Sequence, residues 1–239
     1  MASRDYDNVI LVDIIGAVID SMRETDTITG SVETSPGIYV IDSKNGLKDF
    51  DYITIDDVDY QVSSVSDTNY TINSDPLLDF TGKTWKAKAP YYLHGHPLEI
   101  VNRLNKKNKG VYSYQRYPLI ALFQDFEEPI GDDLALYATP SPTFIIANLT
   151  RPEITADDRY DRNFRDVLYP LYYDFLNKLY ENRSFLLRDP RTINHTKIDR
   201  LYWGTSAANK NESNIANDYL DAIELNNVEL PVVENRCKY

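Results

Sequence analysis

The chain has 239 residues, with 37 Asp and Glu against 25 Lys and Arg, a formal net charge of −12 at pH 7. A single cysteine, Cys237, excludes an internal disulfide framework and a cysteine zinc site. No apolar run reaches the roughly 18 residues of a membrane span, and a strongly acidic chain is a poor default nucleic-acid binder. The length fits one domain, or one domain carrying a small second one.

The first predicted element is a helix over about 8–24. Leu11, Ile14, Ile15, Val18 and Met22 recur at helical spacing, and Asp13, Gly16 and Asp20 fall on the opposite stripe. It reads as an amphipathic helix rather than a signal peptide. From 30 to 90 the character changes to short β-branched and aromatic runs: Ile38–Ile41, Tyr52–Ile55, Tyr60–Val65, Tyr70–Ile72 and Trp85–Ala87. Turn residues such as Asn45-Gly46, Asp56-Asp57 and Thr81-Gly82 separate them. Strands at this spacing describe a small barrel or sandwich inserted after the first helix. The expected division is therefore 1–29 as a helix of the main domain, 30–90 as the inserted β domain, and 91–239 as the main domain.

Pro97 opens the next helix at a position where its missing N–H costs nothing, and Ile100, Val101 and Leu104 mark the inner face. Lys106, Lys107 and Lys109 suit the negative helix end, and Gly110 stops it. Leu119–Phe126 is a nearly continuous apolar run, as expected of a central strand buried on both faces, with further strands expected at Leu134–Tyr137 and Thr143–Ala147. A long helix is expected over about 157–182. Thr155 and Asp158 have capping-box spacing, and Tyr160, Phe164, Leu168, Leu171, Phe175 and Leu179 run along one face. Pro170 predicts a kink in it. Lys197–Gly204 reads as a strand, and Tyr219–Val233 contains at least one more, with Pro231 arguing for an edge position. The whole is an α+β chain: a mixed or antiparallel sheet packed against a long helix, with an inserted β-barrel or sandwich.

Motifs for chemistry are sparse. No glycine-rich phosphate loop, G-x-S-x-G elbow or H-E-x-x-H occurs. His94-Gly95-His96 places two imidazoles in reach of one metal, but a site needs further ligands, and turn roles at a helix start are commoner. Asp56, Asp57 and Asp59 lack the glycine and distal glutamate of a calcium loop and read as solvated turns. The paired carboxylates Glu127/Glu128, Asp132/Asp133 and Asp157/Asp158 are adjacent in sequence, which turns them apart in a strand or helix. Nothing indicates a cofactor. The 19 tyrosines, against 8 Phe and 2 Trp, have two readings. One is compositional drift; the other is surfaces that are soluble alone and buried in an assembly.

Four segments carry a resemblance: PLIALFQDF (118–126), PTFIIANLT (142–150), the aromatic helix RYDRNFRDVLYPLYYDFLNKL (159–179), and the ending KIDRLYWG with NDYLDAIEL. In this order they resemble the tail-terminator-like neck and tail proteins of tailed bacteriophages. The Tyr-, Asn- and Asp-rich style is similar to structural proteins of crAss-like phages of gut Bacteroidota. The resemblance implies a non-enzymatic virion protein, made in the host cytoplasm, that forms a six- or twelve-fold homo-oligomeric ring. Its partners would be its own copies, the portal and other tail or neck rings, with DNA as non-specific passing cargo and no membrane. Tyr169, Tyr172, Tyr173 and Trp203 become interface candidates, and Glu127, Glu128, Asp132 and Asp133 channel-wall candidates. Two other classes stay open: a carboxylate-based hydrolase and a cytosolic protein-binding module.

Overall fold

The computed structural model describes residues 10–23, 25–42, 52–66, 69–75, 78–107, 117–127, 138–151, 153–203 and 219–233. The chain divides into two compact units, residues 23–89 and the remainder on either side of them. The second, smaller unit thus begins several residues before the boundary at 30 expected from composition.

In the small unit seven strands follow one another: β1 (Thr25–Thr27), β2 (Gly30–Ser35), β3 (Ile38–Asp42), β4 (Tyr52–Ile55), β5 (Val58–Ser66), β6 (Asn69–Asn73) and β7 (Thr84–Ala87). Their order in the sheet is β1-β7-β4-β5-β6-β3-β2. The two ends of that order are one run of chain. Ile28 donates its N–H to Lys83, beside β7, at 2.9 Å, and Thr29 donates to Asp42 of β3, also at 2.9 Å. The strand ring closes through this change of partner, so the unit is a small barrel. Trp85, Tyr39, Tyr70, Phe80, Ile41 and Ile53 fill it, each no more than 1% exposed. The Tyr39 hydroxyl is satisfied inside, donating to Asp75 O at 3.1 Å and accepting from Leu78 N at 2.7 Å.

Asp56 and Asp57 form the two-residue turn between β4 and β5, with φ of 50° and 64°. Two left-handed residues suit the twist of a tight hairpin, and Asp tolerates that conformation. Asp56 is further held by Lys83 at 2.9 Å, and Asp59 accepts from the Thr54 hydroxyl at 2.7 Å. Turn chemistry accounts for the acidic triplet.

The larger unit contains α1 (Leu11–Ser21), β8 (Tyr91–Gly95), α2 (Pro97–Lys107), β9 (Leu119–Phe123) and β10 (Thr143–Leu149). After these come the long helix, β11 (Thr196–Trp203) and β12 (Leu220–Asn226). The sheet order is β11-β12-β10-β9-β8, antiparallel except for the parallel pair β8–β9. Parallel neighbours need a crossover, and α2 supplies it. Leu119, Ile120, Ala121 and Leu122 are all fully buried, as expected of a central strand with both faces covered. Alternate residues separate the faces. Ile120, Leu122, Phe144, Ile146, Ile223 and Leu225 pack with α1 and the long helix, while Leu119, Ala121, Ile145, Ala147 and Ala222 pack with Ile100 and Leu104 of α2. Each such large apolar side chain contributes roughly 1.5–3 kcal/mol by leaving water.

The long helix is not uniform. It begins as α3 (Ala156–Arg159), widens into a π-helical segment (Tyr160–Leu168), and returns to α-helix as α4 (Tyr169–Glu181). Thr155 caps it, accepting from Asp158 N at 3.2 Å. Pro170, expected to kink the helix, is the second residue of α4, directly after the π-helical segment, so the change of helical register falls beside it. Val228, Leu230 and Val232 are buried as an extended run outside the sheet. The N–H groups of Val228, Leu230 and Val232 pair with carbonyls of Pro142, Pro140 and Ala138. Pro231 thus lies in this ribbon rather than on a sheet edge. The expected strand 134–137 lies outside the described residues.

Candidate functional site

The surface where the long helix meets the outer strand β11 gathers three of the four tyrosine and tryptophan candidates. Lys197 and Asp199 of β11 pair with Leu225 and Ile223, so they share the helix-covered face. Tyr169 donates its hydroxyl to Asp199 Oδ2 at 2.8 Å, and Lys197 Nζ lies 2.5 Å from Asp199 Oδ1. The ammonium also sits 4.6 Å from the Tyr169 ring centroid and 5.7 Å from that of Tyr172. Desolvation, then the bond to Asp199, pushes the Tyr169 phenol well above its usual range. Tyr172 bonds His195 Nε2 at 2.8 Å, and the other ring nitrogen of His195 lies 2.7 Å from Ile193 O. Donation from Nδ1 leaves Nε2 to accept from the phenol, fixing the tautomer. Burial likewise raises the Tyr172 phenol.

These contacts divide the expected interface. Tyr172 is a core residue, 8% exposed, and Tyr169 is half-buried and tied down over β11, so neither of these two interface candidates faces freely outward. The i, i+4 pattern gives a face, but β11 covers part of it, and strand placement is not a local property. Trp203 is half-buried and packs with the cluster beneath α2. Tyr173 is 62% exposed; Tyr160, expected on the inner face of the helix, is 46% exposed, and Tyr180, which the sequence did not single out, is 41% exposed. Tyr160 contacts the Tyr169 ring edge-on at 6.0 Å, and Tyr173 contacts Tyr172 at 5.0 Å. The long helix thus carries three exposed phenols, Tyr160, Tyr173 and Tyr180, the first two in ring contact with the held Tyr169 and Tyr172.

Beneath the π-helical segment lies a buried polar cluster that sequence reasoning missed. Arg159 Nε is 3.4 Å from Asp221 Oδ2, and Asn163 Nδ2 donates to the same oxygen at 3.0 Å. Asn148 donates to Asn163 Oδ1 at 2.7 Å, and Tyr202 N donates to Asp221 Oδ1 at 3.2 Å. Arg159 also donates to the carbonyls of Arg151 and Ile154, each at 3.2 Å, and to the Tyr202 hydroxyl, whose ring its guanidinium covers at 3.7 Å. Tyr202 adopts a φ of 53° at an irregularity in the β11–β12 pairing. The one available signal was Asp221 in the strand LDAIEL, in register with the apolar Ile223 and Leu225.

Of the channel-wall candidates, Glu127 is exposed, and Glu128, Asp132 and Asp133 lie outside the described residues. His94 and His96 do not converge: His94 Nδ1 lies 3.3 Å from Gln124 Oε1, while His96 Nδ1 accepts from Leu98 N at 3.3 Å as a helix-start contact. Among the described residues no group of three or more His, Cys, Asp or Glu is arranged around a common metal position, and no helix is long and apolar enough to cross a membrane.

Comparison with protein-family models, with curated proteins and with solved structures gives no match. The functional reading rests on the chain itself.

Proposed function

We propose that the chain is a non-enzymatic structural subunit of a homo-oligomeric ring in the neck or tail of a tailed phage virion. It would join adjacent layers and surround a DNA conduit. The observation that carries the reading is the exposure of three tyrosines, Tyr160, Tyr173 and Tyr180, on a helix anchored through Tyr169, Tyr172 and the buried Arg159–Asp221 pair. Tyrosine offers apolar area with few torsions to freeze and a wettable tip, which suits a face exposed before assembly and covered after it. A ring contact joins two different patches of neighbouring copies, and a rigid helix holds such a patch in register around the closure. The formal charge of −12 supports the same reading, because an acidic wall avoids the counterion-release binding by which a basic wall would grip passing DNA. The α+β sheet with its long helix is compatible with the terminator-like resemblance.

Cryo-electron microscopy of purified virions tests this directly: density for a six- or twelve-fold ring of this chain between portal and distal tail is the expected result. Absence of the chain from the particle overturns the proposal.

A further inference from the structure

Independently of the ring reading, the outer edge of β8 forms one side of a cleft of about 640 Å³. Among the described residues no strand lies beyond β8. Its hydrogen-bond phase is fixed by two bonds: Tyr91 N donates to Pro118 O at 2.9 Å, and Gln124 N donates to Gly95 O at 3.0 Å. In a parallel ladder alternate residues face the partner, so Tyr91, Leu93 and Gly95 address β9. The N–H and C=O groups of Tyr92 and His94 are therefore directed outward, into the cleft. Five residues at about 3.3 Å each offer roughly 16 Å of edge.

The opposite wall is α1. Its middle is low, with Gly16 and Ala17, and Asp13 stands one turn before them, with a second carboxylate, Asp20, at the other end. A methyl group added at Gly16 would lie 3.5 Å from the Tyr92 ring, and the Tyr92 hydroxyl donates to Val12 O at 3.1 Å, so helix and strand are fixed against each other. The cation on the α2 side, Arg103, is held by Glu99 at 2.7 Å, which offsets its charge locally.

We propose that this cleft binds an extended, basic polypeptide segment of a partner protein, added to the sheet as a sixth strand beside β8. Backbone bonds to Tyr92 and His94 would supply the pairing, as in other edge-strand additions. Lysine or arginine side chains on one face of the segment would meet Asp13, with their stems against the Tyr91 and Tyr92 rings. An acidic segment meets repulsion from the α1 wall, and a helix cannot satisfy the strand edge.

The test uses full-length protein and a fluorescein-labelled peptide, acetyl-(Lys-Val)3-amide, with (Glu-Val)3 and a Lys-Val peptide N-methylated at alternate residues as controls. Fluorescence anisotropy is expected to give a Kd on the order of 0.1 mM for the basic peptide, as for a small interface, and binding at least about tenfold weaker for both controls. Residue-resolved hydrogen exchange is expected to show fast Tyr92 and His94 amides that slow when the basic peptide is added, while Leu93 and Gly95 are slow throughout. Ala17→Trp fills the cleft and abolishes binding; Asp13→Lys, at an exposed position, weakens it at least about threefold even if the tryptophan variant misfolds. Equal binding of acidic and basic peptides, protection elsewhere, or no binding overturns the proposal. So does protection of Tyr92 and His94 that rises with protein concentration alone, which assigns the edge to a second copy.

Discussion

Arg159 and Asp221 meet at 3.4 Å with 2% and 0% of their side-chain surface exposed, and they join the N-terminal turn of the long helix to the inner strand β12. Arg159 Nε finds no directional hydrogen bond, so the pair is held by charge and by the bonds around it. Removing one partner strands the other charge in the interior. Asp221→Asn or Arg159→Met is expected to destabilise the larger unit by about 3–5 kcal/mol. The double variant Arg159→Met/Asp221→Leu should cost less than the sum of its parts, because no buried charge is left alone. Urea denaturation of the three variants checks this; additive losses would contradict it.

The exposed and the held tyrosines should separate assembly from stability. Tyr173→Asp and Tyr180→Asp alter exposed positions and are expected to change folding stability by no more than about 0.5 kcal/mol, yet to abolish ring formation where the native chain forms rings. Tyr172→Phe removes the bond to His195 and should cost about 1 kcal/mol while leaving the oligomer intact. Light scattering together with thermal melts distinguishes the two behaviours. Loss of assembly on Tyr172→Phe alone would reverse the assignment.

Asp174, on α4, gives a pH dependence with a definite sign. Desolvation raises its carboxyl above 3.8, against the smaller opposing pull of Lys178. A carboxyl whose folded pKa lies above its unfolded value favours the fold when protonated, and that contribution is lost as pH rises through the folded pKa. Asp174→Asn is therefore expected to stabilise the protein at pH 7, by at most about 0.5 kcal/mol given its partial exposure, and to make no difference below about pH 3.8. Paired melts at pH 7 and pH 3.5 read the difference.

Trp85 stands at the centre of the small barrel with none of its surface exposed, beside the edge-to-face pair of Tyr39 and Phe80 at 4.9 Å. Trp85→Ala should cost about 3–5 kcal/mol and unfold the segment 23–89 ahead of the rest. Near-ultraviolet circular dichroism and limited proteolysis report which part opens first. A single cooperative transition, with both units opening together, would contradict it.

Much of the architecture was legible where residues alternate or repeat against one buried face. Leu119–Leu122 announced a central strand, and the run from Tyr160 to Leu179 announced the long helix. What stayed hidden was non-local. β2 is solvated along most of GSVETS, so it carries no period-two signal, and its strand character comes from pairing with β3. β8, YYLHG, was masked because its last two residues belong to the His94-Gly95-His96 motif, which reads as a turn. The π register of 160–168 has no local code, and the enclosure of Tyr169 by β11 and of Tyr172 by His195 depends on segments more than 20 residues further along. Asp221 was readable as an oddity, but its partner lies 62 positions earlier, beyond any window of periodicity.

The barrel's first and last strands are neighbours, with Thr25 opposite Lys86. Antiparallel partners stand about 5 Å apart, so the chain leaves the module almost where it entered. For the remaining sequence the whole module therefore amounts to a two-stranded stem, and the loop-closure entropy it imposes is that of a very short connection. Modules with such adjoining ends can be gained, exchanged or deleted by recombination at one point of a host chain without stretching it.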